Sequence, residues 1–163
     1  MNNKIKGKGS VGLGSVGQGK ALSNIDLEKK LSGKPGFAGV VSIDQLPSRP
    51  IPGMSLIVNF EKAADGGSHW VAVVVHPEGC FYLDPFGLKS PETLKKWMRK
   101  MNKPIFYNTS QLQDIASHRC GEYCFYFVNE MIQGRPIYDI LYRLSQSPSL
   151  GNEKFMEKYY NSH

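Results

Sequence analysis

Cysteine is scarce in this sequence, with three residues among 163, at positions 80, 120 and 124. An odd number of thiols leaves at least one unpaired within a monomer, which argues against a disulfide framework and favours a reducing compartment. The chain has no run of about 18 apolar residues that could cross a bilayer. Its opening residues, MNNKIKGKGSVGLG, also lack the apolar stretch of a secretory signal. We therefore expect no membrane partner and no secretion.

Excess positive charge is confined to one part of the sequence. The net charge is +6, and residues 1–34 carry seven lysines against two acids, whereas residues 35–163 carry thirteen basic and twelve acidic residues. The glycine, serine and lysine composition of residues 1–20 cannot bury enough apolar area to offset the entropy lost on ordering. We therefore predict a flexible basic arm at 1–20 and a folded domain over 21–163.

The rest of the sequence predicts the helices and strands of one compact domain. The body of this domain is expected to start near residue 54. The predicted elements, in chain order, are a short helix IDLEKKL capped by Ser23 or Asn24, a buried strand at 54–60, hairpin strands at 70–75 and 80–83 around the turn HPEG, a helix opened by Ser90, Pro91 and Glu92 and ending near Met101, a strand at 105–107, an apolar helix over 122–133 and an amphipathic helix over 154–160.

The predicted hairpin has two chemically useful side chains at its open end. With the turn centred between His76 and Pro77, the antiparallel register pairs His69 with Asp84. Cross-strand Cβ atoms lie about 4.5–5.5 Å apart. At that distance a carboxylate can accept a hydrogen bond from an imidazole, fix its tautomer and stabilise its protonated form. The sequence therefore predicts a histidine–carboxylate dyad.

Cys120 is the strongest candidate for a nucleophile beside that dyad. It lies at the mouth of the predicted 122–133 helix, where unpaired N–H groups favour a thiolate. Cys124 lies one turn inside on the apolar face and Cys80 lies in a strand, so both are predicted to be core residues. Gln113 stands seven residues before Cys120 and offers an N–H donor that can join the Cys120 backbone N–H in stabilising an oxyanion.

Three motifs follow one another in the chain: GGSHW at 66–70, LDPFG at 83–87 and QDIASHRCGEYC at 113–124. In this order they closely resemble the adenovirus maturation protease (adenain) family. They are also similar to the related proteases of virophages and of Maverick/Polinton elements. The resemblance covers roughly residues 54–134.

The resemblance implies a fold and four catalytic roles. The implied fold is α+β, with a mixed central β-sheet packed against helices, as in adenain and Ulp1-like cysteine proteases. The family often has glutamate where Asp84 stands. The implied roles are those of general base for His69, orienting acid for Asp84, oxyanion-hole donor for Gln113 and nucleophile for Cys120.

The same resemblance implies an endopeptidase that cleaves viral or mobile-element capsid and core precursors at glycine-containing sites during virion maturation. We expect a monomer that acts in the virion or the host-cell interior (viral factory, cytoplasm or nucleus) and needs no metal and no cofactor for the chemistry. The family's peptide cofactor attaches by a disulfide, and the stretch before Gln113 lacks the matching cysteine, so covalent peptide activation is not expected. DNA stays open as an activator, bound by the arm or by the basic helix face of Lys95, Lys96, Arg99 and Lys100.

Each of these residues also has a purely structural interpretation. Cys120 is alternatively a small buried apolar residue at a helix start, and His69 a structural histidine. Asp84 is alternatively a cap of the DPFG turn, a role that is compatible with catalysis. Gln111, two residues earlier, competes with Gln113.

His118 and the basic helix face have alternatives of their own. His118 competes as the base, or as a zinc ligand with Cys120 and Cys124, although the chain lacks the usual zinc spacings. A basic helix face is usually a solvated surface. The alternative functions are a ubiquitin-like-protein isopeptidase and a catalytically silent DNA-binding capsid component. The small size and the DPFG motif favour the endopeptidase.

Overall fold

A computed structural model of the chain describes residues 21–60, 69–147 and 149–163. The predicted basic arm at 1–20 lies outside the described residues. The described elements, in chain order, are α1 (Asn24–Leu31), β1 (Phe37–Ser42), β2 (Ser55–Asn59), β3 (Trp70–His76), β4 (Gly79–Leu83), α2 (Glu92–Arg99), β5 (Ile105–Tyr107), α3 (Cys120–Ile132), α4 (Ile137–Ser145) and α5 (Ser149–Ser162).

A mixed five-stranded sheet forms the centre of the molecule, with its strands in the order β1 to β5. β1 runs parallel to β2 and β5 parallel to β4, whereas the pairs β2–β3 and β3–β4 are antiparallel. One face of the sheet packs against α3, together with α1, α4 and α5. The other face packs against the buried side of α2. The predicted α+β architecture is therefore confirmed. Each described helix is too short or too polar to cross a bilayer.

Most predicted elements are present, but two were missed and several boundaries were wrong, including that of the last helix, which begins at Ser149 and not at 154. The strand β1 and the helix α4 were not predicted, and the domain body begins well before residue 54, since Leu27 and Leu31 of α1 are fully buried. Pro91, not Ser90, occupies the N-cap position of α2, because its extended backbone directly precedes the first helical residue. α3 begins at Cys120, two residues earlier than predicted.

The predicted register of the β3–β4 hairpin is wrong by two residues. The closing pair is His76 and Gly79 around a two-residue turn, and Ala72 pairs with Leu83. Gly79 lies in the strand, against the segment that leads into β5: a Cβ there would come 2.2 Å from the carbonyl oxygen of Pro104. A shift of two residues keeps every side chain on its original face. The pairing partners therefore differ from the prediction, but each side chain lies on the predicted face of the sheet.

Candidate active site

His69 and Asp84 meet at the open end of the hairpin. In the corrected register they are diagonal neighbours, which long side chains can bridge. The Nε2 atom of His69 lies 2.9 Å from Oδ1 of Asp84, and the Asp84 side chain is fully buried. The same Oδ1 accepts a hydrogen bond from the Phe86 backbone N–H at 2.8 Å. Asp84 therefore caps its own turn and holds the imidazole with one oxygen.

The Asn108 side chain fixes the backbone of Asp84. Its Oδ1 accepts from the Asp84 N–H at 2.9 Å, and its Nδ2 donates to the Asp84 carbonyl oxygen at 2.7 Å and to the Ser110 carbonyl oxygen at 3.1 Å. This amide continues the pairing of β4 with β5 beyond the last strand residues. Gly87 lets the two segments approach, since its φ is +70° and a Cβ would lie 2.8 Å from Ser110.

The surroundings of His69 favour its protonated form. Phe60 meets the imidazole edge-on and Phe86 stacks on it, each with ring centroids 5.0 Å apart. Burial alone would lower the pKa of His69, but the hydrogen bond and charge of Asp84 and the proximity of Cys120 outweigh burial and raise that pKa from 6.5 to about 9. These contacts therefore favour the imidazolium form of the ring at neutral pH.

Cys120 is the first residue of α3 and is 6% exposed. Nε2 of His69 is occupied by Asp84, so the buried Nδ1, which makes no hydrogen bond of standard geometry within the described residues, is the nitrogen left to face the thiol. The N–H of Cys120 is among the helix-start donors that have no acceptor within the helix. The first intrahelical bond here runs from Tyr123 N to Arg119 O at 3.2 Å. A thiolate at Cys120 is thus offered a cation and helix-end dipoles.

Gln113 reaches the site on the loop before α3. Its backbone N–H and that of Leu112 both donate to the Pro85 carbonyl oxygen, at 3.0 and 2.9 Å, which ties this loop to the residue after Asp84. The Gln113 side chain is fully buried, and its Nε2 donates to the Ser117 carbonyl oxygen at 2.9 Å. Its buried Oε1 has no hydrogen-bond partner within the described residues. Gln111 is exposed, and its amide donates to the Gln113 carbonyl oxygen at 2.8 Å.

The other candidate residues lie apart from this arrangement. Cys80 and Cys124 are buried in the two cores on opposite faces of the sheet, as predicted, and His118 is exposed on the loop before α3. Across 21–60, 69–147 and 149–163, no group of three or more His, Cys, Asp and Glu side chains is arranged to hold a metal ion.

Sequence reasoning missed three residues that shape the site. Phe60, Phe86 and Asn108 were not singled out. Phe86 belongs to the DPFG motif, so its position beside the turn was a usable signal. Neither the ring contact of Phe60 nor the bracket made by Asn108 could be read from sequence spacing, since both depend on which segments become neighbours in the fold.

The geometry combines an acid–base pair, a thiol at a helix start and a buried amide donor. An imidazole held by a carboxylate can exchange a proton with a thiol on one side, and a thiolate so formed can attack an electrophilic carbonyl. A side-chain amide and a helix-start N–H are the donor types that stabilise the oxyanion produced by such an attack. The arrangement is therefore suited to acyl transfer.

Comparison with known proteins supports a protease relationship. No protein-family model matches the chain. A curated adenovirus protein named "Protease", from Bovine adenovirus C serotype 10, is 32% identical over 89 residues, and the match covers 45% of this chain and 45% of that protein. The match thus spans a little under half the length of the curated relative. The similarity to adenovirus protease predicted from the motifs is confirmed; similarity to virophage and Maverick/Polinton proteases stays a prediction.

The fold has a solved counterpart. The crystal structure of ASFV pS273R protease matches with a TM-score of 0.58 and 15% sequence identity, covering 83% of this chain and 66% of that one. At this identity the likeness concerns the fold alone, and it supports the predicted α+β architecture with a mixed central sheet.

Proposed function

We propose that this chain is a viral cysteine endopeptidase that uses Cys120 as nucleophile and His69 as general base, with Asp84 orienting the imidazole. The observation that carries the proposal is the His69–Asp84 pair, 2.9 Å apart with Asp84 fully buried, which leaves the second ring nitrogen of His69 for the thiol at the start of α3. The similarity to an adenovirus protease supports it. One support is geometric and the other rests on sequence identity.

In the acylation step, the Cys120 thiolate attacks the scissile carbonyl carbon and a C–S bond forms. The carbonyl π electrons move to oxygen, and the oxyanion accepts hydrogen bonds from the Gln113 amide and the Cys120 backbone N–H. When the tetrahedral intermediate collapses, the C–N bond breaks and the His69 imidazolium gives its proton to the leaving amine. The N-terminal part of the substrate remains attached as a thioester.

Deacylation uses the same groups with water as the attacking species. Neutral His69 removes a proton from water, a C–O bond forms, and the same two donors hold the second oxyanion. The C–S bond then breaks, which releases a carboxylic acid and restores the thiolate–imidazolium pair. Asp84 keeps the imidazole in one orientation through both steps and stabilises its charged form.

The proposed substrates are viral capsid and core precursor proteins, cut beside glycine during maturation in the virion or the host-cell interior. The adenovirus relative supports a viral substrate class. The test is incubation of the chain with candidate precursors, followed by mass spectrometry of the new termini, with Cys120→Ala as the matched control. New termini at glycine-containing sites are expected with the wild-type chain alone.

Other outcomes of that experiment would contradict the proposal. Cleavage that persists in Cys120→Ala would remove the nucleophile assignment. Release of a ubiquitin-like protein from an isopeptide bond, without cleavage of precursors, would favour the isopeptidase alternative, which shares the same fold class.

DNA is proposed as an activator, not as a participant in the chemistry. Lys96 and Arg99 are exposed on α2, and residues 1–20 carry four lysines. Deleting residues 1–20 should leave peptide cleavage nearly unchanged while weakening duplex DNA binding and reducing its dependence on salt, because fewer counterions are released. Fluorescence anisotropy over a salt series measures this. Equal binding with and without the arm would move the DNA site to α2.

A further inference from the structure

A buried carboxylate on the last helix binds the loop that leads to Cys120 through hydrogen bonds and an ion pair. Glu153 of α5 has a side chain that is 9% exposed. Its Oε1 accepts hydrogen bonds from the Asp114 backbone N–H at 3.1 Å and from the Tyr123 hydroxyl at 3.0 Å. Its Oε2 accepts from the Ser117 hydroxyl at 2.5 Å and lies 3.6 Å from Nε of Arg119. One side chain thus contacts three residues of the loop and one in the first turn of α3.

Ser117 links Glu153 to Gln113, the proposed oxyanion-hole residue, through hydrogen bonds. Its hydroxyl donates to Glu153, and its carbonyl oxygen accepts from Nε2 of Gln113 at 2.9 Å. The same hydroxyl accepts from the Arg119 backbone N–H at 3.1 Å, one residue before Cys120. The Gln113 amide and the start of α3 therefore both hydrogen-bond to Ser117, and Ser117 is held by Glu153.

The charge of Glu153 is matched by a buried cation. The Arg119 side chain is 7% exposed and lies 3.2 Å from Glu122, 3.6 Å from Glu153 and 3.4 Å from Glu157. Glu122 and Glu153 are buried, whereas Glu157 is 55% exposed. Glu157 therefore shares the helix and the arginine partner of Glu153 but lacks its hydrogen bonds to Asp114, Ser117 and Tyr123 within the described residues, so it is a natural control.

We propose that Glu153 is a positioning residue for oxyanion stabilisation. It holds Ser117 so that one N–H of Gln113 is used by the Ser117 carbonyl and the other faces the developing oxyanion. It touches neither the substrate nor the reacting atoms. The inference rests on the proposed function, because it assigns Gln113 to the transition state of that reaction.

The expected kinetic pattern separates positioning from general support of the fold. Glu153→Gln keeps the shape of the side chain but removes its charge and turns one acceptor into a donor facing Ser117. It should lower kcat on the order of 10-fold to 100-fold with little change in KM, since misplaced groups near a site cost about that much. Alkylation of Cys120 by iodoacetamide should keep its rate, because that reaction needs the thiolate but no oxyanion hole.

The matched control and a double mutant make the test specific. Glu157→Gln should leave kcat within about twofold of the wild type. In a Gln113→Ala background, Glu153→Gln should add no more than about twofold, because the group it positions is already absent. Ser117→Ala is a gentler variant, suited to the case in which Glu153→Gln does not fold, and its smaller loss of kcat should likewise vanish in the Gln113→Ala background.

Two sets of results are distinguishable. In the first, the wild-type chain cleaves and Cys120→Ala does not, which supports the endopeptidase. If Glu153→Gln or Ser117→Ala then lowers kcat by the same factor with and without Gln113→Ala, or slows Cys120 alkylation as much as it slows turnover, the positioning role is overturned while the endopeptidase stands. If wild type and Cys120→Ala behave alike, the endopeptidase proposal fails and the role of Glu153 fails with it.

Discussion

The two halves of the candidate site are assembled from very different spans of chain. The acid–base half joins His69 to Asp84, which are 15 residues apart at the end of one hairpin. The nucleophile half contains the loop from Gln113 to Cys120. Glu153 on α5, 36 residues beyond Ser117, contacts this loop and is called its brace below. The first half depends on a local turn, whereas the second depends on packing against a helix that is distant in sequence.

In the proposed mechanism, this difference makes the reactivity of the Cys120 thiol and the turnover of peptides separately measurable. In that mechanism His69 and Asp84 would stabilise the Cys120 thiolate, whose reactivity alkylation reports. The loop held by Glu153 would govern how well the oxyanion is stabilised, which only turnover reports. Variants in the two halves should therefore fall into two classes when both quantities are measured.

The largest effect is expected from breaking the acid–base half. His69→Ala should lower kcat/KM by about 10²-fold to 10⁴-fold, the usual contribution of a general acid–base group, and should also slow alkylation of Cys120 at pH 7, because the imidazolium is lost. His118→Ala removes the exposed histidine near Cys120 and should be nearly silent. Peptide turnover and iodoacetamide labelling measure both quantities, and a crippled His118→Ala with an active His69→Ala would reverse the assignment.

Removing the amide donor should affect turnover alone. Gln113→Ala should lower kcat by about a hundredfold or more with little change in KM, the pattern of one lost oxyanion donor, and should leave Cys120 alkylation unchanged. Gln113→Glu should be at least as damaging, because it places a negative charge where an oxyanion forms. Gln111→Ala is the control, and steady-state kinetics showing it crippled beside an active Gln113→Ala would shift the oxyanion role to residue 111.

A smaller effect, on stability, is expected where the two halves meet. Asn108→Ala leaves the buried N–H and carbonyl groups of Asp84 without their partner, which should lower the free energy of unfolding by about 1–3 kcal/mol. Chemical denaturation measures this. The adjacent, exposed Thr109 provides the control, since Thr109→Ala should change stability by about 0.5 kcal/mol or less. Equal effects at both positions would mean that the Asn108 bracket contributes nothing specific.

The smallest expected effect is a shift along the pH axis. The pKa of His69 is raised to about 9, so kcat/KM should hold through neutral pH and fall as the imidazolium loses its proton near pH 9. Asp84→Asn weakens the hydrogen bond and removes the charge that raise this pKa, and should move the alkaline limb to lower pH. If the alkaline limb of the pH–rate profile did not move, Asp84 would not be the group that raises the pKa of His69.

The same pKa shift has a consequence for stability. Because the folded pKa lies above the ordinary value of 6.5, protonated His69 stabilises the native state fully below about pH 6.5, and this contribution is lost as pH rises through about 9. Unfolding measured at pH 6 and pH 10 should show a larger loss for the wild-type chain than for His69→Ala.

How far the sequence could predict the site also differs between the halves. The parity of a β-strand places His69 and Asp84 on one side for any even shift, so the side chains meet although the predicted register was wrong by two residues. The register itself could not be read from the turn residues, because Gly79 is required by contact with Pro104 on another segment.

The nucleophile half was predictable only along its own stretch of chain. The helix at 154–160 was predicted, but helical periodicity does not say which loop a residue such as Glu153 will contact. The helix α4 was missed because the glycine and proline that end α3 were read only as a stop, although Pro136 also caps the next helix. The catalytic roles of His69, Asp84, Gln113 and Cys120 stay predictions until the variants above are measured.

The position of α5 after the site bears on the order of synthesis. Chains are made and begin to fold from the N-terminal side, and Glu153 follows Ser117 by 36 residues. A growing chain of the proposed enzyme therefore presents Cys120, His69 and Asp84 before its brace exists. On the ribosome, such a chain should react with alkylating agents but turn over peptides poorly until α5 has been made and has packed.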